Sequence, residues 1–171
     1  MKTLIKYILV LSFFIFIGFS VWHLSEKVTQ KKEISERLKF LPKLNVYHLD
    51  STHYNQDALP NKPIVIIYFN SECNYCQREI KSIEEDITSF GQSNVLLISS
   101  ESIKTISLFQ NQYDFINHPQ VRFLKINEDM IYPTFGAVSV PHLFIYGKNG
   151  QLLKEYKGET KIEAIVKHIK P

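Results

Sequence analysis

The sequence has only two cysteines, Cys73 and Cys76, in 171 residues, and it has almost no excess of charge. From residue 23 onward, 18 lysines and arginines stand against 17 aspartates and glutamates. A domain this close to neutral lacks the basic surface with which proteins bind nucleic acids, so we predict no nucleic-acid partner. Hydrophobic residues make up 44% of the chain. That is enough for an ordinary core, so the fold does not depend on a disulfide.

Acidic residues are absent before Glu26, and an apolar run extends from Tyr7 to Leu24 behind two lysines. A helix of ~18 residues spans roughly 27 Å, which is close to the thickness of a bilayer core. We therefore predict that residues 1–24 are a transmembrane anchor or a cleaved signal peptide. No cysteine follows the run, which excludes a lipid-anchored lipoprotein. Either alternative exports the rest of the chain.

Residues 25–43 are mostly polar and predict a tether, and residues 44–171 predict one domain. Three runs of β-branched, aliphatic and aromatic residues have the pattern of strands that are buried on both faces, and a shorter run is a further candidate strand. These four predicted strands are 44–49, 63–69, 94–99 and 121–126.

Apolar residues at steps of three and four predict helices after the second and third of these runs. The first helix has the inward residues Cys76, Ile80, Ile83, Ile87 and Phe90. The second, from about 102 to 115, has Ile106, Phe109, Tyr113 and Ile116. Asn149-Gly150 then predicts a β-hairpin, and a final helix has Ile162, Ile165, Val166 and Ile169 inward. This order predicts an α/β fold, in which a mixed central sheet has helices on both faces.

Cys73 lies where a predicted strand gives way to a helix, and Cys76 lies one turn later on the apolar stripe. We therefore expect Cys73 near solvent and Cys76 against the core. Unpaired N–H groups and the helix dipole stabilise a thiolate at such a position, which is typical of a nucleophile with a shielded partner. A zinc site needs four ligands, and the six histidines show no ligand spacing, so we predict no metal. A disulfide between these neighbours closes too short a loop to stabilise the fold much.

Two segments resemble a known family. "IVIIYFNSECNYCQREI" is similar to the strand, turn and CxxC motif of thioredoxin-fold proteins, and "FGAVSVPHLFIYGKNGQLLKEYKG" is similar to their later segment with a cis-proline. Over roughly residues 44–170 the chain most resembles the TlpA-like disulfide reductases, which are membrane-anchored proteins of the bacterial cell envelope. The resemblance implies a thioredoxin-like three-layer sandwich preceded by a transmembrane helix.

The same resemblance implies the chemistry. Cys73 would attack a protein disulfide and Cys76 would resolve the mixed disulfide, without a cofactor. Pro141 would be the cis-proline, and Val140 would offer main-chain groups to the substrate. The implied partners are a protein disulfide or thiol client and a membrane electron donor. The domain would face the periplasmic side and would reduce or exchange disulfides rather than form them.

Two acidic residues bear on this expectation. Glu72 stands where thioredoxin-like sites usually have tryptophan, and a carboxylate beside Cys73 disfavours the thiolate, which favours a reductant. Glu79 follows Cys76 by three residues, as in many TlpA-like sequences. Its helical phase leaves two alternatives open, namely solvation at the surface and proton transfer.

Two other functions have specific sequence requirements. A copper-binding metallochaperone on a thioredoxin fold would use Cys73, Cys76 and a histidine such as His142, but such proteins separate their cysteines by three residues rather than two. We expect His142 to be a core histidine. Peroxiredoxins have a threonine three residues before the reactive cysteine, where this chain has Asn70.

Overall fold

The computed structural model describes residues 2–136 and 139–170. Met1, the first residue of the predicted segment 1–24, and Pro171, the last residue of the predicted segment 44–171, lie outside the described residues. By its contacts the chain divides into two compact units, Met1–Glu36 and Arg37–Pro171.

The chain begins with one long helix, α1 (Lys2–Leu38), which continues into the polar segment predicted to be a tether. Among the residues that the structure describes, no helix is both long enough and apolar enough to cross a membrane. The structure therefore does not show the transmembrane helix expected within residues 1–24. The boundaries of the three predicted segments stay predictions.

The second unit is built on a six-stranded mixed sheet with the order β1-β4-β3-β2-β5-β6. β2 pairs with β3 and β3 pairs with β4 in parallel, whereas the other neighbours pair antiparallel. The strands are β1 (Val46–Tyr47), β2 (Ile64–Tyr68), β3 (Asn94–Ser99), β4 (Val121–Ile126), β5 (His142–Tyr146) and β6 (Leu152–Lys157).

Alternate strand residues point to opposite faces of the sheet, and each face has its own cover. One face, which we call the helix face, has inward residues such as Ile67 and Leu143. It packs in one core with three helices, which are α2 (Asn74–Glu85), α3 (Ile103–Gln110) and α5 (Ile162–Ile169). The opposite face carries Tyr68 and Phe144, whose rings contact Phe135 of α4 (Glu128–Phe135) at centroid distances of 6.4 and 5.4 Å. Helices therefore lie on both faces of the mixed sheet, as predicted.

Most of the predicted elements are confirmed. β3 and β4 have the predicted bounds, and β5 and β6 form the predicted hairpin. Gly150 in the hairpin turn has a φ of +74°. Glycine adopts this conformation readily because it has no Cβ, whereas other residues rarely do. In α5, the side chains of Ile165, Val166 and Ile169 are buried as expected.

Three parts of the pattern were predicted incorrectly. α2 ends at Glu85, so Ile87 and Phe90 lie in a separate 3-10 helix (Ile87–Phe90), although both side chains are buried as expected. α3 ends at Gln110, so Ile116 is not on its inner face and is 88% exposed. The chain turns after the helix and buries Phe115 instead. α4 was not predicted, because it contains Pro133, which normally interrupts a helix.

Candidate active site

Cys73 is the N-cap residue of α2, directly beyond the end of the central strand β2. Its Sγ accepts a hydrogen bond from the backbone N–H of Cys76 at 3.4 Å. It thereby satisfies one of the N–H groups that every helix leaves without an intrahelical partner. Both cysteines are free thiols. Because Cys73 is the N-cap residue and is partly exposed, its sulfur lies at the polar end of the helix and within reach of solvent.

The loop that leads into Cys73 is held by side chains on both sides. The Glu101 carboxylate accepts hydrogen bonds from the Ser71 N–H at 2.8 Å and from the Ser71 hydroxyl at 2.6 Å. Gln77 donates from Nε2 to the Ser71 carbonyl at 2.7 Å. Because Ser71 is fixed by residues from two other parts of the chain, the position of the nucleophile does not depend on the loop alone. Sequence reasoning missed Glu101, because no periodicity indicates a contact over thirty residues.

The Val140–Pro141 peptide bond is cis, as the resemblance implies. The fold brings this segment to Cys73, since the thiol donates to the Val140 carbonyl with a sulfur–oxygen distance of 3.7 Å. The Pro141 carbonyl accepts from the Gly158 N–H at 2.9 Å. The four residues singled out from the sequence (Cys73, Cys76, Val140 and Pro141) therefore lie together at one end of the sheet.

Cys76 differs from Cys73 in its environment. Its side chain is fully buried in the core of the helix face, together with Ile80 and Ile83. Burial raises the pKa of the Cys76 thiol strongly, and the neighbouring Cys73 and Glu79 raise it further. The predicted contrast between an accessible and a shielded cysteine is confirmed.

Glu79 is buried rather than solvated, so the first of the two alternatives for this residue is wrong. Its side chain is 1% exposed and Oε1 accepts from the Thr160 N–H at 3.0 Å, whereas Oε2 has no hydrogen-bond partner among the residues that the structure describes. Burial raises its pKa to about 7. A carboxyl group with this pKa, one turn from Cys76, exchanges its proton near neutral pH. The sequence did contain a signal, because residues 76, 79, 80 and 83 share one face of the helix.

His142 is a core histidine, as expected. Its ring is 1% exposed, stacks on Phe144 with centroids 4.4 Å apart, and places Nε2 2.7 Å from Oε1 of Glu155. Burial lowers the pKa of the imidazole, although the bond to Glu155 opposes this. Within the described part of the chain, no three or more histidine, cysteine, aspartate or glutamate residues are grouped so that they could hold a metal ion. The copper alternative therefore gains no support.

The sequence model of the AhpC/TSA family matches residues 39–157. The chain belongs to the AhpC/TSA family. Among its relatives, the thiol-disulfide oxidoreductase ResA of Bacillus cereus is 24% identical over 157 residues, which cover 90% of this chain and 87% of ResA. The ResA of Bacillus thuringiensis has the same identity and coverage.

Solved structures of other proteins have the same fold. A secreted disulfide oxidoreductase of Mycobacterium tuberculosis, described as homologous to E. coli DsbE, gives a TM-score of 0.61 at 15% identity over 78% of this chain and 96% of that protein. The exposed lipoprotein thioredoxin Etrx1 of Streptococcus pneumoniae gives 0.56 at 21% identity over 74% and 96%. The predicted thioredoxin-like fold and the resemblance to TlpA-like proteins are confirmed, and so is the predicted enzyme class, protein disulfide oxidoreductase.

Proposed function

We propose that this protein reduces or exchanges protein disulfides, with Cys73 as the nucleophile and Cys76 as the resolving thiol. The observation that carries the proposal is the position of Cys73, which caps α2 and lies 3.7 Å from the Val140 carbonyl. A sulfur at a helix N-terminus is suited to act as a thiolate. A main-chain carbonyl beside it is suited to pair with an extended client segment. Val140 would bind the client through its main chain, and the cis-proline Pro141 would hold that main chain beside Cys73.

The reaction would have two exchange steps. The Cys73 thiolate attacks one sulfur of the client disulfide, so a Cys73–client bond forms, the client's own S–S bond breaks and one client thiolate leaves. Cys76 then loses its proton and attacks the sulfur of Cys73. The 73–76 disulfide forms and the second client thiolate leaves. Two electrons pass from the protein to the client, and the two departing thiolates take up two protons.

Glu79 is suited to accept the proton of Cys76 in the second step. The Cys76 thiol is a poor nucleophile in the resting protein, because burial disfavours its thiolate. Glu79 lies three residues later on the same helix face and has a pKa of about 7, and within the described part of the chain one of its oxygens has no hydrogen-bond partner. Its carboxylate form can therefore take a proton within the core, where both side chains are buried.

The direction and the compartment of the reaction belong to the same proposal. Glu72 is exposed directly before Cys73, where the sequence pattern favours a reductant. The apolar run from Tyr7 to Leu24 supports export to an extracytoplasmic, membrane-anchored position in a bacterial envelope. A reductase at that location needs electrons from a donor in the membrane. Labelling of the partly exposed Cys73 thiol in intact cells by a membrane-impermeant maleimide tests the location, and labelling that occurs only after lysis would contradict it.

The activity can be tested with the reduced full-length protein and a peptide that contains one intramolecular disulfide. We expect each protein molecule to release two peptide thiols and to gain a 73–76 disulfide, both measured by alkylation and mass spectrometry. Cys73→Ser should release none. If the wild-type protein remains reduced and releases no peptide thiol, the proposed function is wrong.

A further inference from the structure

Tyr75 is exposed at the site although neighbouring large side chains of α2 are buried. It stands directly before Cys76 and two residues after Cys73, and it is 58% exposed, whereas Ile80 and Ile83 are fully buried. Packing against the core therefore does not account for the position of this ring. A large aromatic surface beside a reactive sulfur is available to whatever molecule approaches that sulfur.

The Tyr75 ring is held by a charged side chain from the next turn of the helix. The Arg78 guanidinium carbon lies 4.7 Å from the ring centroid, which is within the range of a cation–π contact. Arg78 is itself fixed by Glu159, with Nε 3.0 Å from Oε1 and Nη2 2.6 Å from Oε2. A ring that is already oriented loses less conformational entropy when a ligand packs on it.

The charges in this group also limit what it can select. Glu159 neutralises the charge of Arg78, so Tyr75, Arg78 and Glu159 together present an aromatic surface without net charge. Such a surface discriminates by apolar contact rather than by the sign of the client's charge. A client cysteine bonded to Cys73 brings its own neighbouring residue close to Tyr75, since only Asn74 lies between Tyr75 and Cys73.

We propose that Tyr75, oriented by Arg78 and Glu159, is a specificity-determining residue that favours clients with an aromatic or large aliphatic residue beside the reacting cysteine. This inference rests on the proposed function, because it concerns the first exchange step. Tyr75 would contact the client, and Arg78 and Glu159 would act as positioning residues.

The test uses two cyclic peptide disulfides that differ only in the residue next to one cysteine, which is Phe in one and Ser in the other. Second-order rate constants are measured with pre-reduced full-length protein by acid quenching, alkylation and mass spectrometry. We expect the wild type to prefer the Phe peptide by about two- to tenfold, the range typical of an aromatic pair. Tyr75→Ala should bring the ratio close to one, Tyr75→Phe should retain it, and Arg78→Gln should give an intermediate ratio.

The ratio separates client contact from effects on folding or redox potential, which would change both rates equally. Lys81→Gln, an exposed change one turn further along α2, is the matched control and should keep the wild-type ratio. A wild-type ratio of one, or a ratio that Tyr75→Ala leaves unchanged, would overturn this inference while leaving the proposed function intact. If the wild type reacts with neither peptide, the proposed function fails and the inference fails with it.

Discussion

The two faces of the sheet meet at the same site but contribute differently to it. The helix face has an apolar core, and its buried ionisable groups near the site are Cys76 and Glu79, both on α2. The opposite face buries His142 on Phe144 and packs Phe135 of α4 against the same ring. In the proposed reaction, the helix face would therefore supply the groups that exchange electrons and protons. The opposite face supports the strand that follows Pro141. A substitution on one face should therefore have effects that stay within the role of that face.

The largest effect is expected from the cysteines. Cys73→Ser should lower the rate of disulfide reduction by at least about 10³-fold, because the nucleophile is lost. Cys76→Ser should still react once and then accumulate a protein–peptide mixed disulfide, which is detected as an increase in mass. If Cys76→Ser instead shows no adduct and Cys73→Ser forms one, the roles of the two cysteines are reversed.

A buried aromatic residue on each face gives the next comparison. Phe135→Ala and Phe90→Ala both empty a buried position, and each should lower the free energy of unfolding by about 3–5 kcal/mol in urea titrations. Phe135 lies five residues before Val140, so its loss should also slow peptide reduction by about tenfold under conditions where the protein is folded. Phe90→Ala should leave that rate unchanged. Equal rates for the two variants would contradict the supporting role given to the opposite face.

The elements themselves were predictable where a single pattern determined them. β3 and β4 were predicted from continuous apolar runs, because a strand buried on both faces has apolar residues at every position. The buried face of α2 was predicted from apolar residues at steps of three and four, because only one side of the helix is buried. The CxxC motif and Val140–Pro141 were found because the resemblance links them. α4 was not predictable, because its contacts with the opposite face outweigh the low helix propensity of a segment that contains Pro133.

The contacts within the site were less predictable. Glu101 contacts Ser71 across a separation of 30 residues, and Arg78 contacts Glu159 across 81 residues. Both contacts form only when the chain has folded. Nothing local in the sequence encodes such pairs. The burial of Glu79 was encoded in the helical phase, but the charge of a glutamate argued for the surface.

Glu79→Gln should change how stability depends on pH. The native pKa of Glu79 is raised from 4.5 to about 7, so the folded state retains its proton where the unfolded state has lost it. Protonated Glu79 therefore contributes roughly 3 kcal/mol to the free energy of unfolding below pH 4.5. This contribution is lost as the pH rises to about 7. The stability of wild type relative to Glu79→Gln, measured by urea unfolding, should fall across this window. A constant difference would mean that Glu79 does not carry a raised pKa.

The smallest effect is expected from His142 on the opposite face. Its pKa is lowered by burial, while Glu155 and Lys157 act on it in opposite directions. As the pH falls, His142 therefore binds a proton at a higher pH in the unfolded state than in the folded state. The free energy of unfolding of the wild type should fall as the pH drops below about 6.5. His142→Gln should lose this part of the pH dependence. If the two stability–pH curves remain parallel between pH 5 and 8, the pKa of His142 is not lowered by folding, and the account of its burial is wrong.

The central claim is that Cys73 and Cys76 form a redox couple, and the most direct test is its equilibrium with dithiothreitol. Full-length protein is equilibrated at a series of dithiothreitol ratios, and the free thiols are alkylated and counted by mass. We predict a two-electron transition between dithiol and 73–76 disulfide, with a reduction potential near or below about −250 mV, towards the value of thioredoxin. A potential of about −120 to −180 mV would instead indicate an oxidase or isomerase. If no 73–76 disulfide forms at any ratio, the claim of a redox couple is wrong.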